Sequence, residues 1–104
     1  MIKIIDSKIY DTDHAEALHD WQNRVGVTDF SHCEETLYVT KNKNYFLHGK
    51  GGPNSKYSVQ IDSNSYGGGE AITPLSLRGA IQWLEKHNGE DVLLKEFAEY
   101  LGEA

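Results

Sequence analysis

The side chains best suited to chemistry in this sequence are five histidines and a single cysteine. His14, Cys33 and His48 lie in three different segments, and Asp13 supplies a carboxylate beside the first of them. Zinc takes nitrogen, sulfur or oxygen ligands, and a fold can bring them together from separate segments. No spacing in the sequence requires these four side chains to meet, so two interpretations stay open. One is a structural zinc site made of these four residues, and the other is capping or core histidines with a buried free thiol.

None of the common catalytic motifs is present. The glycines around Lys50 lack the spacing of a phosphate-binding loop, and a strand rather than a helix is expected to follow them. Neighbouring residues of an extended chain point to opposite faces, which separates His32 from Cys33 and Glu34 from Glu35. No Gly-x-Ser-x-Gly motif positions a nucleophilic serine. We therefore expect a protein that is not an enzyme. The alternative left open is a small metal-binding protein with a nuclease-like or other regulatory role.

The elements that would position these side chains begin with a predicted first helix. Asp13 with Glu16 three residues later approximates a capping box, and Gly26 is a suitable stop signal. His14, Leu18, Trp21 and Val25 fall at helical spacings and would form one core-facing stripe. The sequence therefore predicts a helix over residues 13–24, after short β segments at residues 2–5 and 8–10.

The middle of the chain is predicted to be β-structure. Residues 36–40 and 45–48 are rich in strand formers, and the four residues between them suggest a hairpin loop. If Thr40 pairs with Tyr45, then Leu37, Val39, Phe46 and His48 share one face. We expect a turn at residues 49–54, a third strand at residues 57–61, a mobile glycine-rich loop at residues 63–69 and a short edge strand at residues 71–72.

The last third of the sequence is predicted to be helical. Thr73 and Pro74 suit an N-cap and the first helical position, and a second cap at Glu90 or Asp91 opens a final helix. The predicted order is β-α-β-β-β-α-α, in one domain that spans residues 1–104. We expect the α+β class: an antiparallel sheet of three to four strands with helices packed on one face.

Charge limits the partners of this chain. The formal net charge is -6, which disfavours direct binding of nucleic acid or an anionic membrane. Acidic residues dominate both ends of the sequence, whereas residues 41–56 hold four lysines and no acid. This segregation suggests docking on a charged protein, although ordinary solvated surfaces are the alternative. The candidate partner-binding residues are Asp13, Glu16, Asp20, Glu90, Asp91, Glu96 and Glu99.

The sequence also gives an expectation about the compartment. One cysteine cannot form an internal disulfide, and no apolar run approaches the length of a membrane helix. The first residues lack the apolar stretch of a signal peptide. We expect a cytoplasmic protein of a bacterial host cell.

Four segments together carry a resemblance to a known group of proteins. They are residues 8–15 (KIYDTDHA), 33–41 (CEETLYVTK), 45–57 (YFLHGKGGPNSKY) and 72–76 (ITPLS). They resemble small proteins of phages and mobile elements in Gram-positive bacteria, and the glycine-rich part of the third segment is the most distinctive. Some such proteins are anti-CRISPR inhibitors of type II RNA-guided nucleases, and at least one is reported as a zinc metalloprotein.

The resemblance implies an anti-CRISPR protein that binds a type II nuclease without catalysis. The resemblance assigns no functional residues to this sequence. An acidic protein of this size suits the basic nucleic-acid channels of such a nuclease. We therefore expect it to block nucleic-acid loading or target binding by occupying a protein surface.

Overall fold

The structure is a computed structural model that describes residues 1–104. Eight strands precede two α-helices, and a short 3₁₀ helix, Ala98–Tyr100, follows them. The elements are β1 (Ile2–Ile5), β2 (Lys8–Asp11), β3 (Glu16–Gln22), β4 (Cys33–Val39), β5 (Tyr45–Gly51), β6 (Val59–Asp62), β7 (Ser65–Gly67), β8 (Gly69–Leu75), α1 (Leu77–Lys86) and α2 (Glu90–Glu96).

The central layer is a four-stranded antiparallel sheet in the order β3-β4-β5-β8. Strand β4 alternates strictly between buried and half-buried residues, as expected for a central strand between unequal layers. We name the two ends of the sheet after the segments that lie there, the turn end and the loop end. The turn end holds the β4–β5 connection, residues 40–44, and the loop end holds residues 23–32 and 52–58.

Both α-helices pack on one face of this sheet. Leu37 and Leu47 meet side chains of α1 and α2 in the main core, whose other buried members are Ala80, Trp83, Leu84, Leu93 and Phe97. Ser76 caps α1, because its Oγ accepts a hydrogen bond from the Gly79 N–H at 3.0 Å. The predicted α+β class, the antiparallel sheet and the helices on one face are all confirmed. No helix in the structure is both long enough and apolar enough to span a bilayer.

The β1–β2 hairpin covers part of the opposite face. Tyr10 packs edge-on against Phe46 with ring centroids 5.4 Å apart, and Tyr38 stacks on Phe46 at 5.1 Å. With Ile72, these rings form a second, smaller core near the turn end. The sheet is therefore sandwiched only there, and its outer face stays open toward the loop end.

The predicted helix over residues 13–24 is wrong, because this segment forms a turn and then strand β3. The polar residues interpreted as a helix cap close the turn instead. The Asp11 carboxylate accepts hydrogen bonds from the Asp13 N–H at 2.9 Å and from His14 Nδ1 at 2.7 Å. Pairing with β4 then outweighs a weak helical pattern.

The predicted hairpin is confirmed, but its register is wrong by one residue. Val39, not Thr40, pairs with Tyr45, and five residues form the connection. Tyr45 and Leu47 therefore lie on the helix side, and Phe46 and His48 on the opposite side. A one-residue shift reverses the face of every side chain in the shifted strand.

Four further features differ from the prediction. Residues 49–51 end strand β5 rather than starting a turn, and residues 65–67 of the predicted loop form β7. Strand β6 pairs only with β7, outside the main sheet. Thr73 and Pro74 end strand β8 instead of starting a helix. Proline is tolerated there because β8 is an edge strand.

Candidate protein-docking surfaces

The seven carboxylates predicted to bind a partner are all exposed. None of them forms an intramolecular salt bridge, whereas the paired carboxylates of this chain belong to Asp11, Glu34, Glu35 and Glu70. An unpaired exposed charge keeps its interaction energy available for another molecule. The seven predicted residues therefore carry most of the free negative charge of the surface.

The structure brings some of these acids together at the turn end. Glu96 and Glu99 line a groove with apolar side chains and one lysine: Leu18, Val39, Lys43, Tyr45, Leu77 and Tyr100. Burial, together with the charges of Tyr100, Glu96 and Glu99, raises the pKa of the Tyr45 hydroxyl above its usual value. Tyr45 therefore stays neutral and offers an apolar ring with a hydrogen-bonding tip.

The three N-terminal acids lie on and before an edge strand, not on a helix. Asp13 is in the turn before β3, and Glu16 opens β3 opposite Val39. Asp20 lies on the open outer face, where its carboxylate accepts a hydrogen bond from the Thr36 hydroxyl at 2.7 Å. Glu16 therefore lies close to the turn-end groove, and Asp20 is separated from it by the sheet.

The predicted acidic final helix is confirmed as α2. Glu90 and Asp91 occupy its first turn, where negative charge suits the helix dipole. Gly89, rather than Glu90 or Asp91, is the N-cap, and no side chain caps this helix. Both acidic side chains are therefore left free at the start of α2, while Glu96 and Glu99 lie at its other end.

The four candidate zinc ligands lie in three separate places. His14 is 80% exposed and is bound to Asp11, and Asp13 is exposed in the same turn. His48 Nε2 lies 2.8 Å from Glu70 Oε2 on the outer face of the sheet. Cys33 is buried on the helix side, and this burial raises the pKa of its thiol. No group of three or more His, Cys, Asp or Glu side chains is placed to hold a metal ion.

A buried polar network around Glu35 was not predicted. This side chain is only 1% exposed and extends from β4 toward α1. Trp83 Nε1 donates to its Oε1 at 3.0 Å, and Lys56 Nζ and the Tyr57 hydroxyl both bind its Oε2. Burial raises the pKa of the carboxyl, but the three donors outweigh it and hold the pKa below its usual value.

The distinctive glycine-rich segment builds this network. The Tyr57 ring lies directly on Gly49, and a Cβ atom there would collide with it. A glycine in β5 thus allows the loop at residues 52–58 to fold back over the sheet. Burial and the bond to Glu35 raise the pKa of the Tyr57 hydroxyl, which remains a donor. Glu35 lies two residues from Cys33 and from Leu37, on the same face of the strand, and this position was the sequence signal for its burial. Nothing in the sequence identified its partners.

A second unpredicted cluster occupies the outer face at the loop end. His32 Nε2 lies 3.0 Å from Glu34, and Lys50 Nζ lies 3.1 Å from the other oxygen of that carboxylate. His32 Nδ1 also contacts the Val25 carbonyl oxygen at 3.1 Å. Both ring nitrogens face acceptors, and the bond to Glu34 raises the pKa of His32 above its usual value. The expected separation of Glu34 from Glu35 on opposite faces is confirmed.

Two tryptophans and two histidines pack where α1 ends over β3. The His87 ring lies between Trp21 and Trp83, with centroid distances of 4.5 and 4.8 Å. His19 donates through Nε2 to the His87 carbonyl oxygen at 2.9 Å. Burial lowers the pKa of His87 below its usual value, so its neutral form is favoured. This cluster fixes the end of α1 to the edge of the sheet.

Comparison with known proteins gives no relative from which to transfer a function. No protein-family model, no curated protein and no solved structure matches the chain.

Proposed function

We propose that this protein is a stoichiometric, non-catalytic inhibitor that binds a type II RNA-guided CRISPR nuclease. In this proposal it acts as an anti-CRISPR protein in the cytoplasm of a bacterial host. It occupies a basic surface of the nuclease and so blocks nucleic-acid loading or target binding.

The observation that carries this proposal is the set of seven exposed acids that form no intramolecular salt bridge. Glu96 and Glu99 have the most suitable surroundings, because they line a groove that also offers apolar surface. A mixed surface of this kind suits a basic protein partner, since charge steers the encounter and apolar contact supplies affinity. The choice of nuclease as the partner rests on the resemblance of the four sequence segments.

Charge reversal at the end of α2 tests the proposed contact. The variant Glu96→Lys with Glu99→Lys should bind a purified type II nuclease more weakly than the native chain, by about tenfold or more at low salt. The matched control is Glu85→Lys with Glu103→Lys, which changes the net charge equally at two other exposed residues. Calorimetric titration at low and physiological salt provides the measurement.

The two variants separate a specific contact from a general charge effect. The control should stay within about threefold of the native affinity, because its charges lie outside the groove. Unchanged affinity of the Glu96→Lys, Glu99→Lys variant at low salt would contradict the proposed contact. Equal losses in both variants would also contradict it, since only the net charge would then matter.

A further inference from the structure

Strand β3 is an unprotected edge of the four-stranded sheet. It is seven residues long and has β4 on one side and no strand on the other. None of the backbone hydrogen bonds outside the regular elements involves residues 16–22. Natural proteins often block such an edge with lysine, proline or a bulge. Strand β3 contains no lysine or proline, and its bulge lies at Leu18, before the last four residues. The opposite edge strand, β8, contains Pro74.

The hydrogen-bond pattern shows which backbone groups are free. The Asn23 N–H donates to the Cys33 carbonyl oxygen at 3.0 Å, and the Cys33 N–H donates to the Asn23 side-chain oxygen at 3.1 Å, so the backbone N–H of Asn23 points toward β4. Bonded and non-bonded pairs alternate along an antiparallel ladder. Trp21, opposite Glu35, therefore directs its backbone groups toward β4. Asp20 and Gln22 direct their N–H and C=O groups away from the sheet, where an added strand could pair.

The charge of this edge selects one kind of partner. Glu16 and Asp20 are exposed, and neither β3 nor β4 contains a lysine or arginine. Two copies of such an edge repel each other, which disfavours pairing of this chain with itself. A strand with basic side chains gains both backbone hydrogen bonds and ion pairs.

We propose that the β3 edge, from His19 to Gln22, binds an extended basic segment of a partner protein by β-strand addition. This inference rests on the proposed function, because it assigns a site to the basic partner. The bulge at Leu18 interrupts the register and limits pairing to the four residues that follow it.

The two faces of the sheet set the side chains that such a segment needs. Asp20 and Gln22 share the outer face, so a lysine or arginine of the added strand lies beside the Asp20 carboxylate. His19 and Trp21 share the helix face, where the half-buried Trp21 ring favours an apolar neighbour. The preferred segment therefore alternates basic and apolar residues.

Model peptides test the site without the nuclease. The probe is an eight-residue peptide of alternating lysine and valine, with blocked ends. A lysine–proline peptide has the same charge but lacks half of the backbone donors, and a glutamate–valine peptide reverses the charge. Backbone amide exchange of the full, isotope-labelled chain gives the readout. We expect exchange of the Asp20 and Gln22 amides to slow by tenfold or more with the lysine–valine peptide alone, and that of Trp21 to change little.

Two variants complete the test. Gln22→Pro removes an outward N–H but no bond to β4, and it should weaken lysine–valine binding about fivefold. Gln22→Ala keeps the N–H and should bind like the native chain. Equal binding of the lysine–proline peptide, or no protection of Asp20 and Gln22 at millimolar peptide, would overturn the inference. Nuclease binding that remains sensitive to Glu96→Lys with Glu99→Lys would then leave the proposed function standing.

Discussion

At the scale of single residues, the main feature is the buried carboxylate of Glu35, which has three hydrogen-bond donors. Glu35 is held by Trp83, Tyr57 and Lys56, and no buried side-chain oxygen or nitrogen in the protein lacks a hydrogen-bond partner. A buried charge is tolerated only when such partners are complete. This network therefore ties the distinctive loop to the sheet and to α1.

Removal of one donor should be costly. Tyr57→Phe deletes the hydroxyl that binds Glu35 and should lower the free energy of unfolding by about 2 kcal/mol. Tyr66→Phe is the matched control, because that ring is 56% exposed, and it should change stability by less than about 0.5 kcal/mol. Urea unfolding at neutral pH measures both values. Equal stabilities of the two variants would show that the Tyr57–Glu35 bond contributes nothing.

The acid stability of the protein should depend on His87. Its pKa is lowered in the folded state, mainly by burial, so the unfolded chain binds the proton more readily. Stability is therefore present above the usual histidine pKa of 6.5 and is lost as the pH falls below it. The raised pKa of His32 acts in the opposite direction, with stability lost as the pH rises through it.

The variant His87→Gln isolates this contribution. Its free energy of unfolding should fall less than that of the native chain between about pH 7.5 and pH 5.5, as measured by urea unfolding at each pH. Parallel curves for the two proteins would contradict a half-buried His87 that is neutral in the folded state. The comparison of slopes removes the constant cost of the substitution itself.

At the scale of helices and strands, the sequence patterns predicted the fold class better than the pairing register of the strands. The strand formers in the middle of the chain and the helical signals of the last third were sufficient for an α+β fold with helices on one face, although the predicted cap residues were wrong. The pattern of residues 13–24 predicted the wrong element. Apolar residues three and four positions apart also occur by chance in a bulged strand such as β3. The face of Tyr45 depended on one residue of loop length, which local sequence does not determine.

The candidate site shows the same limit. The exposure of these acids was predictable, because charged side chains are mostly exposed in folded proteins. The placement of Glu16 opposite Val39, which lines the same groove as Glu96 and Glu99, was not predictable, because it depends on the packing of the whole sheet. The partners of Glu35 were also unpredictable, since Lys56, Tyr57 and Trp83 reach it from distant parts of the chain.

The hairpin connection itself can be tested. Lys43 has a φ of 65°, a left-handed conformation that glycine adopts more readily. Lys43→Gly should therefore raise the free energy of unfolding by about 0.5 kcal/mol. Lys41→Gly, in the same connection but without positive φ, should lower it by a similar amount. Thermal or urea unfolding measures both variants. The shorter predicted loop gives Lys43 no left-handed conformation, so equal effects of the two variants would contradict the five-residue connection.

At the scale of the whole molecule, charge is segregated in space as well as in sequence. The lysines of residues 41–56 are divided between the turn end and the loop end, where Lys50 and Lys56 are paired with Glu34 and Glu35. The N-terminal acids and those of α2 have no such partners. The net charge of -6 therefore comes mainly from acidic side chains that form no salt bridge within the chain and can bind another protein.

Binding through these charges should weaken with salt. Raising the ionic strength from about 0.05 M to 0.3 M should lower the affinity for the nuclease by about tenfold, mainly through a slower association rate. Surface plasmon resonance at several salt concentrations separates the two rates. An affinity that does not change with salt would contradict a charge-steered encounter.

The central claim is stoichiometric inhibition without catalysis, and a titration of DNA cleavage tests it most directly. A type II nuclease at a fixed concentration well above the dissociation constant is mixed with increasing amounts of the native chain, before and after guide loading. Cleavage should fall linearly and stop at a fixed small ratio of inhibitor to nuclease, and the Glu96→Lys, Glu99→Lys variant should leave more DNA cleaved than the native chain does at the same ratio. Full cleavage at a large excess of the protein, or complete inhibition by a small fraction of an equivalent, would contradict it.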